Sequence, residues 1–452
     1  MDILSMNIAE LQLFMKELGQ PAYRAVQVFE WLHRRFPRAG CGAFSFGEMY
    51  NLPKALREEL ERRCYITPVS VEKELRAKDG TVKFLLALGG AGGSDETKLC
   101  DESTDIEVST SHNEPANSDI HTTRDVHASR DFHIPSRVLI ESVLMEYTHG
   151  RSVCISTQAG CRMGCLFCAT GQSGLLRNLT AGEMCMQVYT AARDNMLLQH
   201  DANHGSSILP LMSRDSVLHG PIAKSHTHVT SESNHQSAIN PGGKPPLHNE
   251  SNIRNIVLMG CGEPLDNFDA VFRFIELITH PKGAGLSQRH ITLSTCGLIP
   301  EIRALAKRRM QITLAVSLHG PDDATRQTLM PVAKGHPIKD LLAACREYTD
   351  MTHRRITFEY ALAAGINDSP AQARALAGLL KGLLCHVNLI PVNQISEYTG
   401  SQHKQLNPSF TPTNKQQAAI FAEILQKAGI PATVRRTIGA EVNAACGQLR
   451  SR

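Results

Sequence analysis

Three closely spaced cysteines are the residues of this sequence best suited to carry chemistry. Cys161, Cys165 and Cys168 form the motif C-x-x-x-C-x-x-C, which follows a strand-like run. Three thiolates at this spacing can bind three irons of a [4Fe–4S] cluster and leave the fourth iron open to a small ligand. A structural zinc site would normally need a fourth ligand at matching spacing, and the sequence has no partner C-x-x-C. We therefore predict an iron–sulfur site.

Further polar residues follow other strand-like runs. Gly262 and Glu263, in the run Gly-Glu-Pro, offer a bare backbone and a carboxylate that could receive an amino group. A Ser or Asn at the end of a strand is most often a turn residue. In a β/α barrel, however, such strand ends share one rim, and that convergence favours a ligand pocket. The remaining candidates on this rim are Ser294, Ser317, Leu318, His319 and Asn393.

Alternating strands and helices must position these residues. The strand-like runs, rich in Val, Ile and Leu, lie at 152–157, 255–259, 290–295, 312–318, 356–362 and 386–391. Helical patterns lie between and after them, at about 181–193, 268–279, 300–308, 337–349, 370–381 and 415–428. This alternation predicts a parallel sheet with right-handed crossovers. The expected fold is α/β, a partial (β/α)6 TIM-like barrel.

The rest of the chain divides by composition. Residues 1–66 are predicted to form a small all-helical accessory domain, followed by a β-rich connector (67–146), the barrel core (147–440) and a C-terminal segment (441–452). In the first domain, Leu11, Leu13, Phe14 and Leu18 are predicted to share one apolar face, and a third helix is predicted after Pro53. The stretches 91–135 and 199–252 are polar and without periodicity, and are predicted to be disordered insertions.

Charge and cysteine content narrow the class of protein. The net charge is +3, but the two insertions carry −7 and −1, so the remaining 353 residues carry +11. If this excess is clustered, for example at Arg435 with Arg436, it would suit a polyanionic partner. Otherwise it is the charge of ordinary solvated side chains. Thirteen cysteines, without a signal-like start, indicate reduced thiols in a cytoplasmic protein. No apolar run is long enough for a membrane span.

The cysteine motif on a partial barrel resembles the radical S-adenosylmethionine superfamily, and within it the RlmN/Cfr family of RNA adenine methyltransferases. The resemblance is carried by ELGQPAYRAVQVFEWLHRR, CISTQAGCRMGCLFCATGQSGLLRNL, MGCGEPLDN, HITLSTCGLIP, AVSLHGPDDATR, VNLIPVNQ and VRRTIGAEVNAACGQL. It implies a [4Fe–4S] cluster on the three cysteines and S-adenosylmethionine in the pocket on the rim.

The resemblance also implies roles for three other residues. Cys446 matches the cysteine that carries the methyl group, Cys154 the partner of its transient disulfide, and Glu141 the proposed proton acceptor. One S-adenosylmethionine methylates Cys446, and a second yields the radical that takes a hydrogen from that methyl group. The resulting methylene radical adds to the base, and Cys154 then releases the product. On the residues alone, Cys154 would be a small buried hydrophobe, Cys446 an idle thiol and Glu141 a surface carboxylate.

Several readings of the substrate remain open at this stage. An RlmN-like enzyme would methylate carbon 2 of an adenosine in 23S rRNA and in tRNA, as a monomer supplied with electrons by a flavodoxin-like donor. A Cfr-like enzyme would methylate carbon 8, and Cys261 and Cys296, unusual in their motifs, leave this choice open. An RNA-binding iron–sulfur protein without catalysis is another alternative. A radical enzyme acting on a small molecule would have no need of the helical domain.

Overall fold

The computed structural model describes residues 1–36, 40, 41, 43–89, 136–148, 150–204, 253–393, 410–436 and 438–450. The first predicted insertion, and the second from residue 205 onward, lie outside the described residues. The prediction that the second is unstructured from residue 199 is wrong, because a helix that begins at Ala181 continues to His204. Among the described helices, none has the length and apolar character that a membrane crossing requires.

The amino-terminal region contains three helices, as predicted: α1 (Ile8–Glu17), α2 (Tyr23–His33) and α3 (Lys54–Arg63). A short hairpin, β1 (Arg35–Phe36) with β2 (Gly40–Cys41), follows α2. α1 begins with a capping box, in which Asn7 and Glu10 each accept a hydrogen bond from the other's backbone N–H. The prediction that Leu13 shares the buried face of α1 is wrong. Its side chain is 65% exposed, because it points away from the side of the helix that buries Leu11 and Phe14.

Among the described residues a ten-stranded sheet forms the body of the molecule, and a separate hairpin lies within its first parallel crossover. The strands are β3 (Val69–Arg76), β4 (Val82–Leu88), β5 (Val138–Tyr147), β6 (Gly150–Cys154), β7 (Gln158–Cys161), β8 (Gly174–Asn178), β9 (Ile253–Leu258), β10 (Ile291–Thr295), β11 (Thr313–Ser317), β12 (Ile356–Leu362), β13 (Cys385–Pro391) and β14 (Ala432–Val434). The order in the sheet is β14-β13-β12-β11-β10-β9-β6-β5-β4-β3, and β7 pairs only with β8. From β6 to β14 neighbouring strands are parallel, whereas β3 to β6 are antiparallel.

The crossover helices confirm the predicted α/β class. They are α4 (Ala181–His204), α5 (Phe268–Thr279), α6 (Ile299–Lys307), α7 (Asp323–Leu329), α8 (Ile338–Thr352), α9 (Pro370–Leu380) and α10 (Lys415–Lys427). Two elements go beyond the six predicted units: the short polar helix α7, capped by Asp322, and β14, which adds a seventh parallel strand. Within the described residues the two edge strands, β3 and β14, do not pair, so the barrel is incomplete.

Candidate active site

A pocket that encloses about 960 Å³, including its space open to solvent, lies at the carboxyl ends of the parallel strands. Most of the predicted site residues meet in this pocket, although they come from strands and loops far apart in the chain. They are Cys161, Cys165, Cys168, Gly262, Glu263, Ser294, Ser317, His319, Asn393 and Cys446. The structure therefore brings the three cysteines of the motif to the same cavity as a cysteine near the end of the chain.

The motif cysteines lie on a hairpin loop, not directly at the exit of a barrel strand as the sequence suggested. Cys161 ends β7, and the loop that follows leads back into β8. Gly160 lies at the bulge of this hairpin with φ +81°, and a Cβ there would be 1.9 Å from the carbonyl oxygen of Gly174. Only glycine fits such an approach of two backbones. The hairpin thus fixes the loop that presents the thiols to the pocket.

The motif presents three thiols to one cavity, the donor set that a [4Fe–4S] cluster requires. Burial raises the pKa of the Cys161 thiol to about 12, and burial followed by the charge of Cys168 raises the pKa of Cys165 well above its usual value. Iron that binds such thiols displaces their protons. Among the described residues no three His, Cys, Asp or Glu side chains converge as they would on a single ion. A [4Fe–4S] cluster does not require that convergence, because each thiolate binds a different iron. The donor set therefore fits a cluster better than zinc.

Glu263 is a buried carboxylate held by backbone amides. Its two oxygens accept hydrogen bonds from the N–H groups of Leu265 (3.1 Å) and Cys296 (2.7 Å). Burial raises the pKa of Glu263, and these amides oppose the rise. Beside it, Gly262 has φ +103°, and a Cβ there would be 2.6 Å from the side chain of Gln158. The side chains of Thr295 and Cys296 also hydrogen-bond this carboxylate, which lines the pocket.

His319 and Leu318 occupy different environments although they are neighbours. His319 lines the pocket, its Nδ1 accepts a hydrogen bond from the N–H of Ala361 (2.9 Å), and burial lowers its pKa to about 3, so the ring is neutral at physiological pH. Leu318 is not among the described residues that line the pocket. Its side chain is fully buried in the core, and its backbone N–H and carbonyl bind Glu359 and Arg326.

The C-terminal segment (438–450 of the described residues) carries Cys446 into the pocket. The side-chain amide of Asn393 donates to the carbonyl of Cys446 (3.1 Å), and the N–H of Ala169 donates to the carbonyl of Gly447 (2.7 Å). Cys446 is exposed to the open side of the pocket, yet it is surrounded by protein atoms. This crowding raises the pKa of its thiol, and the guanidinium of Arg435 opposes the rise.

Cys154 and Glu141 lie beneath the C-terminal segment and are not among the described lining residues of the pocket. Cys154 ends β6, packs in one cluster with Cys261 and Leu449, and has its pKa raised by burial and then by the charge of Cys446. Glu141, on β5, has a 14% exposed side chain that binds Lys83 (3.1 Å) and the backbone N–H of Arg450 (3.0 Å). Both residues therefore lie close to the segment that carries Cys446.

Two charged residues among those that line the pocket were not predicted as site residues. Glu359, on β12, and Arg435, just after β14, both line it. A glutamate inside the otherwise apolar run ITFEYAL was a signal for the first. Arg435 was considered only as one half of a basic pair, with no indication that it faces the cavity.

Comparison with known proteins gives concordant similarities. Residues 1–66 match the family model described as ribosomal RNA large subunit methyltransferase N-terminal domain, and residues 247–376 match the radical SAM superfamily. The second match begins after the cysteine motif.

Relatives and a solved structure match over nearly the whole chain. A probable dual-specificity RNA methyltransferase RlmN of Clostridium perfringens is 37% identical over 99% of this chain and 96% of its own length. A probable dual-specificity RNA methyltransferase RlmN of Alkaliphilus oremlandii is 38% identical over 99% of this chain and 97% of its own length. The crystal structure of a radical SAM methyltransferase from Sphaerobacter thermophilus is 35% identical, covers 100% of this chain and 99% of its own, and superposes with a TM-score of 0.70.

Proposed function

Because the chain belongs to the RlmN family of radical SAM RNA methyltransferases, we propose that it methylates carbon 2 of an adenosine in 23S rRNA and of one in tRNA. The observation that carries this proposal is the pocket that unites Cys446 with the three motif cysteines. The excess of positive charge outside the insertions supports a polyanionic substrate. We expect two S-adenosylmethionines to be consumed per methyl group, and a flavodoxin-like electron donor.

Members of this family use a [4Fe–4S] cluster and S-adenosylmethionine. We propose that Cys161, Cys165 and Cys168 hold the cluster. When bound, the cluster and S-adenosylmethionine supply a 5′-deoxyadenosyl radical. The carboxylate of Glu263 would receive the methionyl ammonium, and the other residues proposed to contact S-adenosylmethionine are Gly262, Ser294, Ser317, His319 and Asn393. Leu318 is no longer proposed as a side-chain contact, because its side chain is in the core.

Cys446 is proposed to carry the methyl group. Carbon 2 of adenine is flanked by two nitrogens and is electrophilic, so it does not attack the methyl cation of S-adenosylmethionine. A methyl group placed first on the Cys446 sulfur can instead be delivered to the base as a methylene radical, which divides one inaccessible step into feasible ones. The exposure of Cys446 on the open side of the pocket is what such a carrier needs.

Cys154 and Glu141 are proposed to complete the reaction. Cys154 would attack the Cys446 sulfur, form a disulfide and release the methylated base. Glu141 would accept the proton that leaves the ring carbon. Its present partners, Lys83 and the backbone of Arg450, show that the C-terminal segment covers it, so access of the base to Glu141 would require that segment to shift.

The test is a methylation assay on a short 23S rRNA hairpin with anaerobically reconstituted protein. Wild-type protein should methylate the RNA, and mass spectrometry of the nucleosides should place the group on carbon 2. Cys446→Ser should abolish methylation while the cluster absorbance persists, and Cys154→Ala should accumulate protein covalently bound to RNA. Cys345→Ser, a buried cysteine on α8, is the matched control. A methyl group on carbon 8, or an unaffected Cys446→Ser variant, would contradict the proposal.

A further inference from the structure

Arg435 places a positive charge beside the two thiols outside the cluster motif. Its backbone N–H donates to the carbonyl of Leu389 on β13 (2.9 Å), which anchors the residue just after β14. Its side chain is 32% exposed and lines the pocket with Cys446. Burial raises the pKa of both the Cys446 and the Cys154 thiols, and the charge of Arg435 opposes the rise at each. One guanidinium thus acts on both sulfurs.

Glu359 is the acidic partner of this guanidinium. The carboxylate is buried; one oxygen accepts a hydrogen bond from the side chain of Asn388 (3.0 Å), and the other has no hydrogen-bond partner among the described residues. That second oxygen lies 3.9 Å from Nη1 of Arg435. A buried carboxylate without such a partner would be costly. Attraction between Glu359 and Arg435 therefore holds the guanidinium at the wall of the pocket, where the hydroxyl of Tyr147 also binds it.

We propose that Arg435 is a positioning residue for the first half of the reaction: its guanidinium, anchored by Glu359, stabilises the thiolate of Cys446 that accepts the methyl group. This inference rests on the proposed function. The nucleophile of a cysteine is its thiolate. Cys446 first loses its proton to solvent through the open side of the pocket. Its electron pair then forms the S–C bond to the methyl carbon of S-adenosylmethionine, and the pair of the broken sulfonium bond stays on the departing thioether sulfur.

The other charged groups that act on Cys446 all disfavour its thiolate, so a nearby cation is needed to stabilise it. Glu359 on β12 and Cys168 on the cluster loop both disfavour a negative charge on the Cys446 sulfur. Cys154, at the end of β6, does the same when it is ionised. Arg435 is the largest favourable contribution to the Cys446 thiolate from a charged side chain. Without it, a backbone N–H hydrogen bond would be left to oppose burial and the negative neighbours of the sulfur.

The experiment measures the Cys446 thiolate directly. Reconstituted holoprotein without S-adenosylmethionine is treated with iodoacetamide between pH 6 and 10, and the tryptic peptide 437–450 is quantified by mass spectrometry. We expect Arg435→Gln to move the midpoint of Cys446 alkylation upward by about one pH unit, which is about tenfold slower alkylation near neutral pH. Arg435→Lys should restore most of the rate. Arg436→Gln, the exposed neighbour, is the matched control and should behave as wild type, read on its longer peptide.

A single-turnover assay of methyl transfer to Cys446 completes the test. Arg435→Gln should slow the appearance of S-methylcysteine about tenfold at pH 7, and the deficit should shrink as the pH rises. Unchanged alkylation and methyl-transfer profiles in Arg435→Gln, with methylation normal in wild type, would overturn this inference alone. Failure of wild-type Cys446 to acquire a methyl group would overturn the proposed function and this inference with it. Cluster content and thermal melting of each variant separate misfolding from these outcomes, and Arg435→Lys keeps the test decisive if Arg435→Gln does not fold.

Discussion

The parallel and antiparallel parts of the sheet contribute differently to the active site. The parallel part supplies lining residues from β9 to β13 and from Arg435 just after β14, whereas none of the described lining residues comes from β3 to β6. The antiparallel part holds the C-terminal segment instead. Asp79 accepts from the N–H of Gly439 (2.9 Å), Lys83 donates to the carbonyl of Asn443 (3.1 Å), and Glu141 accepts from the N–H of Arg450 (3.0 Å).

The antiparallel part therefore helps to place the methyl carrier without lining the pocket, although Asn393 and Ala169 on the pocket side also bind the carbonyls of Cys446 and Gly447. Each contact between the antiparallel part and the C-terminal segment joins residues more than 300 positions apart in the chain. Folding of the sheet already brings these distant residues together, so the contacts themselves carry little further loop-closure entropy. A few hydrogen bonds therefore suffice to place Cys446. Damage to the parallel part should therefore remove the cofactor, and damage to the antiparallel part should misplace the carrier while the cofactor stays.

The largest effect is expected from Cys161→Ala in the pocket. The variant loses one of the three proposed iron ligands, so we expect the protein to lose most of its iron and sulfide and RNA methylation to fall below detection. Iron and sulfide analysis after anaerobic reconstitution, with the methylation assay, measures both. Cys345→Ala, buried on α8 away from the pocket, should retain about four irons per chain. Full cluster occupancy in Cys161→Ala would show that the motif does not hold the cluster.

A smaller effect is expected from Lys83→Met in the antiparallel part. Lys83 is buried and binds both Glu141 (3.1 Å) and the carbonyl of Asn443 (3.1 Å). Its loss leaves a partly buried carboxylate without its cation and frees the C-terminal segment, at a cost of about 1–3 kcal/mol. We expect RNA methylation about tenfold lower, with iron content and S-adenosylmethionine affinity unchanged.

The matched control for this variant is Lys73→Met, an exposed lysine on β3 in the same part of the sheet. It should leave methylation unchanged. The separation of the two parts would be refuted if Lys83→Met lost iron or S-adenosylmethionine in proportion to its methylation activity.

The sequence predicted the parallel part far better than the contacts between the antiparallel part and the C-terminal segment. Strand patterns placed Gly262, Ser294 and Ser317 correctly on one rim, because parallel strands that alternate with helices must end at the same edge. Leu318, just after β11, has its side chain in the core although its neighbours Ser317 and His319 line the pocket, a difference in direction that a sequence does not show. Helix α7 was missed because it is short and polar, and its start depends on the cap by Asp322.

Contacts between distant residues were beyond reach for a different reason. The pairs Glu359 with Arg435 and Glu141 with Arg450 have no local pattern in the chain. Each arises only when segments distant in the sequence are brought together by the fold. The family resemblance, and not the residues alone, indicated that Cys446 and Cys154 act together.

The smallest effect is expected from Asp79→Asn, which changes another contact between the antiparallel part and the C-terminal segment. The bond from Gly439 N–H holds the pKa of Asp79 below its usual value, with further help from Thr81. A depressed pKa in the folded state means that this contact stabilises the segment above the pKa of the unfolded chain, about 3.8, and loses that contribution as the pH falls through the lower folded value. Asparagine keeps an acceptor oxygen but no charge, so we expect only about a twofold to threefold rise in the opening of the segment at neutral pH. Hydrogen exchange of residues 438–450 measures this opening, and in wild type it should increase at acidic pH by a contribution that Asp79→Asn lacks. Equal acid dependence in the two proteins would mean that the Asp79 charge does not hold the segment that carries Cys446.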